Sequence, residues 1–99
     1  STDEGYQSIA KLRLSGVLAE EGSFAEAIKL LNSSFAAGFQ ALALDRKGDI
    51  FVLQGQNAEA VSAYNEAYKL SDDRTEYRRL IEVKLNSLGV NPMADTPAQ

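Results

Sequence analysis

Two aspartates are spaced so that a helix would place them side by side. Asp45 and Asp49 are four residues apart, so an α-helix brings both carboxylates to one face. Paired carboxylates can bind a divalent cation or act as an acid and a base. A calcium site, however, requires a ligand-rich loop and more oxygen ligands, which the neighbouring sequence does not supply. We therefore expect these aspartates to serve in helix capping and charge balance.

Two arginines form the second candidate group. Arg13 and Arg46 occupy equivalent positions in an internal repeat that is described below. A guanidinium group can bind a carboxylate or backbone carbonyl of a partner through two parallel hydrogen bonds. The alternative is that each arginine pairs with a nearby acid and contributes to solubility, in which case Arg46 would pair with Asp45, Asp49 or Asp73.

The composition leaves little material for catalysis. The chain has 99 residues and contains no histidine and no cysteine, which removes the usual zinc ligands and the commonest general base near neutral pH. No phosphate-binding glycine loop and no nucleophile with a base partner are recognisable. The sequence thus predicts a protein that is not an enzyme, with no cofactor and no metal.

The charge distribution argues against two classes of partner. Fourteen acidic and ten basic residues give a net charge of −4, and no basic stripe of the kind that binds nucleic acid is present. No apolar run approaches the roughly 20 residues needed to cross a bilayer. We expect no nucleic-acid partner and no direct membrane contact. A targeting or anchoring segment before Ser1 stays open.

A repeat organises the chain. The stretch from Gly22 to Ala27 returns thirty-three positions later, from Gly55 to Ala60, with four identities in six. The glycines end apolar periodic segments, which indicates helix pairs separated by tight turns. The predicted helices cover residues 6–21, 24–35, 39–54, 57–70 and 73–88. We expect capping boxes from Ser23 to Glu26 and from Asp73 to Glu76.

A repeat of this length, helical on both sides of a glycine turn, resembles the tetratricopeptide repeat of about 34 residues. The predicted fold is therefore an all-α, tetratricopeptide-like helix-pair solenoid with five helices in a single domain, residues 1–88. Repeat one covers about 6–37, repeat two about 39–70, and a C-terminal capping helix about 73–88. Residues 89–99 are predicted to be a disordered tail.

A narrower resemblance covers roughly residues 6–88. It is carried by the stretch 38–42, by 45–49 with Gly55, by 11–14 and by 83–88. These segments resemble the C-terminal portion of the YfgM-like family, which comprises bacterial inner-membrane proteins with a periplasmic tetratricopeptide-like domain. The resemblance implies an ancillary role at the SecYEG translocon, with translocon or chaperone components as partners. It also implies the periplasmic face of the inner membrane, with an anchor upstream of this chain.

In tetratricopeptide arrays, the first helix of each pair lines a concave surface that contacts a partner. Counting from the two glycines predicts ten partner-binding positions. They are Ile9, Leu12, Arg13, Gly16 and Glu20 in the first repeat, and Leu42, Asp45, Arg46, Asp49 and Val52 in the second.

The first helix carries a second apolar face. Ile9, Leu12, Gly16 and Ala19 are predicted to form a face that nothing in these repeats covers, whereas Ala10, Leu14, Val17 and Leu18 form the face toward the core. Helix-pair units stabilise each other by stacking, and about three are usually needed. A preceding repeat, a second copy of the chain or a ligand groove are the three alternatives for what covers it.

Three functional hypotheses follow. The first is a non-catalytic protein-interaction module on the periplasmic side of the inner membrane that assists the Sec translocon and chaperones. The second is a structural domain that self-associates as a homodimer through its first helix. The third is a general cytosolic tetratricopeptide adaptor that binds a peptide.

Overall fold

The computed structural model describes residues 2–92, and these fold into five α-helices without a strand. The helices are α1 (Thr2–Glu20), α2 (Phe24–Leu31), α3 (Gln40–Leu53), α4 (Asn57–Leu70) and α5 (Thr75–Ser87), and a 3₁₀ turn (Ala37–Phe39) precedes α3. The predicted all-α helical-repeat fold is confirmed. The bounds of α4 match the prediction, and those of α3 and α5 differ by one or two residues.

Three helices end in the same way. Gly22, Gly55 and Gly89 follow α1, α3 and α5 with positive φ angles of 79°, 74° and 84°. At each glycine, two backbone hydrogen bonds close the helix end in a Schellman motif, for example Ser23 N to Leu18 O at 2.8 Å and Gly22 N to Ala19 O at 3.0 Å. In its C-terminal turn, α5 is therefore the structural counterpart of α1 and α3.

Two apolar clusters lie at the seams between neighbouring helices. The first joins α1, α2 and α3, and its buried members are Ala27, Leu31, Phe35, Ala43 and Ile50. The second joins α4 and α5 with one side of α3, and its buried members are Ala60, Tyr64, Ala67, Ile81 and Leu85. Every helix is therefore fixed by its neighbours in the array, as expected for a solenoid.

The second helix is shorter than the sequence predicts. The apolar pattern extends to Phe35, but α2 ends at Leu31. The following backbone is bonded to α1 instead, because Lys11 Nζ donates to Ser34 O at 2.6 Å and Ala36 N donates to Ser8 Oγ at 3.0 Å. These partners replace the hydrogen bonds of a further helical turn, while Phe35 still packs into the first cluster.

Neither predicted capping box forms. Ser23 is the N-cap of α2, but its side chain makes no capping hydrogen bond. The N-cap of α5 is Arg74 rather than Asp73, also without a side-chain cap. The start of α5 is anchored by Arg78 instead. Its guanidinium lies 3.8 Å from the centre of the Tyr68 ring, and its Nε donates to Tyr68 O at 3.1 Å, at the end of α4.

The segment after α5 is packed at its beginning. Val90 lies against the second apolar cluster and Pro92 is buried, so the predicted disordered tail is wrong for residues 89–92. The Schellman motif directs the chain back across α5, which places Val90 beside Leu85. Residues 93–99 of the predicted tail lie outside the described residues.

We predict that Gly48→Ala destabilises the chain, although alanine favours a helix over glycine by about 1 kcal/mol. A Cβ at this position would overlap the ring of Tyr64, which is buried and bonded to Asp49. Overpacking of this kind costs about 1 to 3 kcal/mol, so the clash outweighs the propensity. Urea unfolding measures the difference.

Gly16→Ala is the matched control, since Gly16 is exposed in α1 and a Cβ there meets no atom within 4 Å. It should stabilise the chain by up to about 1 kcal/mol. Equal effects of the two substitutions would contradict the close approach of α3 and α4.

Candidate functional site

A cluster of polar side chains joins α3, α4 and α5. Asp45 is only 2% exposed, and it accepts hydrogen bonds from Tyr77 Oη at 2.9 Å and from Lys84 Nζ at 2.8 Å. Asp49 accepts from Tyr64 Oη at 2.6 Å and from Lys84 Nζ at 3.0 Å. The two carboxylates that share a helix face therefore share one ammonium group. We call these five residues the acidic staple.

The acidic staple changes the proton affinity of its donors. Burial, and next the hydrogen bond and charge of Asp49, raise the pKa of the Tyr64 phenol well above its usual range. Burial and the charge and hydrogen bond of Asp45 raise the pKa of Tyr77 in the same way. Burial alone would lower the pKa of Lys84, but the hydrogen bonds and charges of both aspartates outweigh it and raise that pKa. All three donors thus hold their protons throughout the physiological range.

Arg46 forms no ion pair with the aspartates of the staple. The sequence offered Asp45, Asp49 and Asp73 as its partners, but Arg46 forms an ion pair with none of them, and the first two carboxylates bond to Lys84 and the tyrosines. Within residues 2–92, Arg46 and its repeat equivalent Arg13 are exposed and form no ion pair. Both guanidinium groups are available to another molecule.

Arg13 and Arg46 each belong to a row of side chains along one side of their helix, and α5 carries a third such row, or stripe. Each follows one side of a helix at the spacing i, i+4, i+7 and i+11. The spacing of Gly22, Gly55 and Gly89 assigns the three stripes equivalent positions in the sequence. We call them together the groove face. Its members are Ile9, Arg13, Gly16 and Glu20 on α1, Leu42, Arg46, Asp49 and Leu53 on α3, and Glu76, Leu80, Val83 and Ser87 on α5.

The structure places most of the predicted partner-binding residues on the groove face. Two of the ten face the interior instead: Leu12 is partly buried against the first apolar cluster, and Asp45 is buried in the acidic staple. Asp49 is half-buried, with its carboxylate bonded inside the staple. Val52 is exposed in the last turn of α3, beside the stripe.

Three exposed apolar residues of the groove face are missing from the sequence prediction. Leu53, Leu80 and Val83 are at least half exposed. The signal that finds them is Gly89, which lies thirty-four residues after Gly55 and aligns Leu80 with Arg46 and Val83 with Asp49.

The uncovered side of α1 differs in part from the predicted one. Ile9 and Gly16 of the predicted face are exposed, but Leu12 and Ala19 are partly buried against the first cluster. Tyr6, Ala10, Leu14 and Val17 are exposed as well, although Ala10, Leu14 and Val17 were expected to face the core. Periodicity shows that a helix has two apolar faces, but only the position of α2 and α3 decides which face is covered.

The whole of residues 1–90 matches the family model of the tetratricopeptide repeat-like domain. The chain belongs to this family. The helix pairs α1–α2 and α3–α4, whose first helices both end at a glycine of positive φ, are its repeated units. Within residues 2–92, no helix of this tetratricopeptide-like domain combines the length and apolar character that a membrane span requires.

One relative extends the comparison. The tetratricopeptide-like domain is 30% identical over 86 residues to a Neisseria gonorrhoeae protein described as an ancillary SecYEG translocon subunit. The match covers 87% of this chain and 41% of that protein, so the chain spans less than half the length of its relative. The resemblance expected from the sequence is thereby confirmed. No solved structure matches the chain significantly.

We predict that Lys84→Met lowers the free energy of unfolding by about 2 to 3 kcal/mol, because it leaves the buried carboxylate of Asp45 without its counter-charge. Lys69→Met, at an exposed lysine of α4, is the matched control and should change stability by less than about 0.5 kcal/mol. Adding Asp45→Asn to Lys84→Met should recover part of the loss. Equal effects of the two lysine substitutions would contradict the staple.

Stability should also fall at alkaline pH. Above about pH 10, the unfolded chain releases protons from tyrosine and lysine that the folded chain keeps on Tyr64, Tyr77 and Lys84. The unfolded state then binds fewer protons than the folded state, so the free energy of unfolding decreases as the pH rises.

Urea unfolding at a series of pH values tests this prediction. The contribution of the three groups should be constant below about pH 9 and decline above about pH 10. The variant Tyr64→Phe, Tyr77→Phe should show a shallower decline. Parallel curves for the variant and the unmodified chain would exclude these tyrosines as the source.

Proposed function

We propose that this chain is a non-catalytic protein-interaction module that binds its partner along the groove face. The observation that carries the proposal is the availability of Arg13 and Arg46 on a face that also exposes several apolar side chains. Arginine is enriched where proteins bind each other, and apolar side chains supply most of the buried area. The partner that fits best presents carboxylates to the two arginines and apolar side chains to Leu53, Leu80 and Val83.

The relative from Neisseria gonorrhoeae bears the name of an ancillary SecYEG translocon subunit. We infer by this similarity that the present chain serves the Sec translocon and the chaperones that receive its products. We further infer that it works on the periplasmic face of the bacterial inner membrane and is anchored by a segment outside this chain.

The module would bind its partner through complementary shape and charge, and it would catalyse no reaction. The acidic staple fixes α5 against α3 and α4, so the stripes on α3 and α5 form a preorganised surface rather than a flexible one. A rigid surface loses little conformational entropy on binding, and the arginine charges favour encounter with an acidic partner.

Charge reversal on the groove face tests the site. We expect Arg13→Glu, Arg46→Glu to weaken recovery of the translocon with the protein from its own cells by about tenfold, equivalent to ~1.4 kcal/mol. The matched control is Lys29→Glu, Lys69→Glu, which makes the same charge change on exposed positions of α2 and α4. The control should retain binding. Equal losses in the two variants would show that net charge matters and the groove face does not.

Folding has to be measured in the same experiment. All four substituted side chains are exposed, so both variants should unfold within about 0.5 kcal/mol of the unmodified chain. Site-specific photo-crosslinking from position 53 or 80 then identifies the partner directly. Crosslinks to cytosolic proteins alone would favour the cytosolic adaptor, and crosslinks only to a second copy would favour the self-associating domain.

A further inference from the structure

A cleft runs along the side of α3 that is opposite to the groove face. It consists of two cavities, one of about 390 Å³ between the end of α2, α3 and α4, and one of about 200 Å³ between α3 and α4. Lys47 and Glu66 line both cavities, so the two adjoin. Helical spacing places Leu44, Lys47 and Phe51 on the side of α3 that faces away from Arg46 and Asp49. We call the two cavities together the rear cleft.

The rear cleft has an accessible apolar lining. Leu44 and Phe51 pack against the second apolar cluster, but both are only partly buried. Leu70, at the end of α4, is 50% exposed and lines the larger cavity together with Leu44. A single exposed apolar side chain on a protein surface is ordinary. Several of them in one concave surface, with a few charged groups among them, are the usual form of a binding site.

The wall that α4 contributes to the rear cleft carries two carboxylates. Glu59 and Glu66 are seven residues apart, which places them on one side of the helix and about 10 Å apart along its axis. Both are exposed, and within residues 2–92 neither forms an ion pair. Lys47 lines the same two cavities as Glu66 without pairing with it. The two carboxylates are therefore available to cations of another molecule.

The spacing of the two carboxylates fits an extended polypeptide. In the polyproline II conformation, every third side chain lies on the same edge, about 9 Å farther along the chain. The backbone carbonyls of such a segment have no internal partners, so the Lys47 ammonium can donate hydrogen bonds to them. Residues 93–99 contain no lysine or arginine, so this chain's own C-terminal residues do not supply the matching charge.

We propose that the rear cleft binds an extended segment of another protein in which basic residues recur at every third position and apolar residues lie beside them. The basic side chains pair with Glu59 and Glu66. The apolar side chains enter the two cavities, next to Phe51 in the smaller one and next to Leu70 in the larger one. The domain thus has a second binding surface, in addition to the groove face.

This inference is independent of the proposed function. The groove face offers Arg13 and Arg46 to an acidic partner, whereas the rear cleft offers Glu59 and Glu66 to a basic one. The two surfaces lie on opposite sides of α3. Recovery of the translocon should therefore be unchanged by substitutions in the rear cleft, and failure of either proposal leaves the other intact.

A synthetic peptide of repeated Lys-Leu-Pro triplets is the probe. Proline favours the polyproline II conformation, which places all the lysines on one edge and all the leucines on another. We expect a fluorescently labelled peptide to bind the chain saturably, with an affinity that falls as salt is added. Peptides of Glu-Leu-Pro and of Lys-Ser-Pro triplets should bind about tenfold more weakly or less, because one loses the charge and the other the apolar contacts.

Charge reversal in the rear cleft gives the decisive comparison. Glu59→Lys, Glu66→Lys should weaken binding of the Lys-Leu-Pro peptide by about tenfold. The matched control is Glu21→Lys, Glu26→Lys, which makes the same charge change at exposed positions outside the cleft. Glu26 is the repeat counterpart of Glu59, and each lies in the first turn of its helix, so both variants lose the same interaction with the helix dipole. The control should retain the affinity.

Photo-crosslinking locates the peptide. A crosslinker at position 62, inside the smaller cavity, should capture the Lys-Leu-Pro peptide, and one at position 53, on the groove face, should not.

Four results would overturn the proposal. They are no saturable binding, equal losses in the two glutamate variants, equal binding of the Lys-Ser-Pro peptide, and capture from position 53 alone. In sedimentation, a dimer of the unmodified chain that Glu59→Lys, Glu66→Lys dissociates would make a second copy of this chain the occupant instead.

Discussion

The structure depends on the stacking of each helix against the next one in the array. No central core gathers all five helices; instead, the first apolar cluster joins α1, α2 and α3, and the second joins α3, α4 and α5. In such an arrangement the stability of a unit comes from its neighbours, so the faces at the ends of the array are intrinsically unsatisfied. The exposed apolar side of α1 and the packing of Val90 against the second cluster are two consequences of this constraint.

The attachment of α5 shows that polar groups can contribute to stacking when their hydrogen bonds are complete. Burying Asp45 carries a desolvation penalty, which its bonds to Lys84 and Tyr77 offset. A buried ion pair of this kind does not have to add much net stability, but it strongly disfavours any arrangement in which the carboxylate loses its partners. Asp45 and Asp49 pair with Lys84 through these bonds and form no ion pair with Arg46. The acidic staple thereby leaves the charge of Arg46 unpaired on the groove face. This links the packing of the helices to the proposed binding of a partner.

Much of the fold can be predicted from the sequence because it depends on local signals. Five helices and the bounds of α4 are predicted correctly from the glycine turns at Gly22 and Gly55 and from the apolar periodicity along the chain. The errors occur where a distant group overrides the local pattern. Lys11 and Ser8 bond to the backbone after α2 and end that helix early, and Arg78 replaces the expected cap of α5 by stacking on Tyr68. Propensity and capping rules do not include these partners, since each comes from another helix.

The sequence by itself determined the repeat, the helical class and the composition of the candidate surface, including the equivalence of Arg13 and Arg46. Only the tertiary structure decided which members of that surface are accessible. Asp45 and Leu12 satisfy the repeat pattern for surface positions, yet the packing of neighbouring helices buries Asp45 and partly buries Leu12. It also decided which apolar face of α1 is left open. The physical reason is that periodicity fixes the direction of a side chain relative to its own helix, whereas burial depends on which other helix lies in that direction.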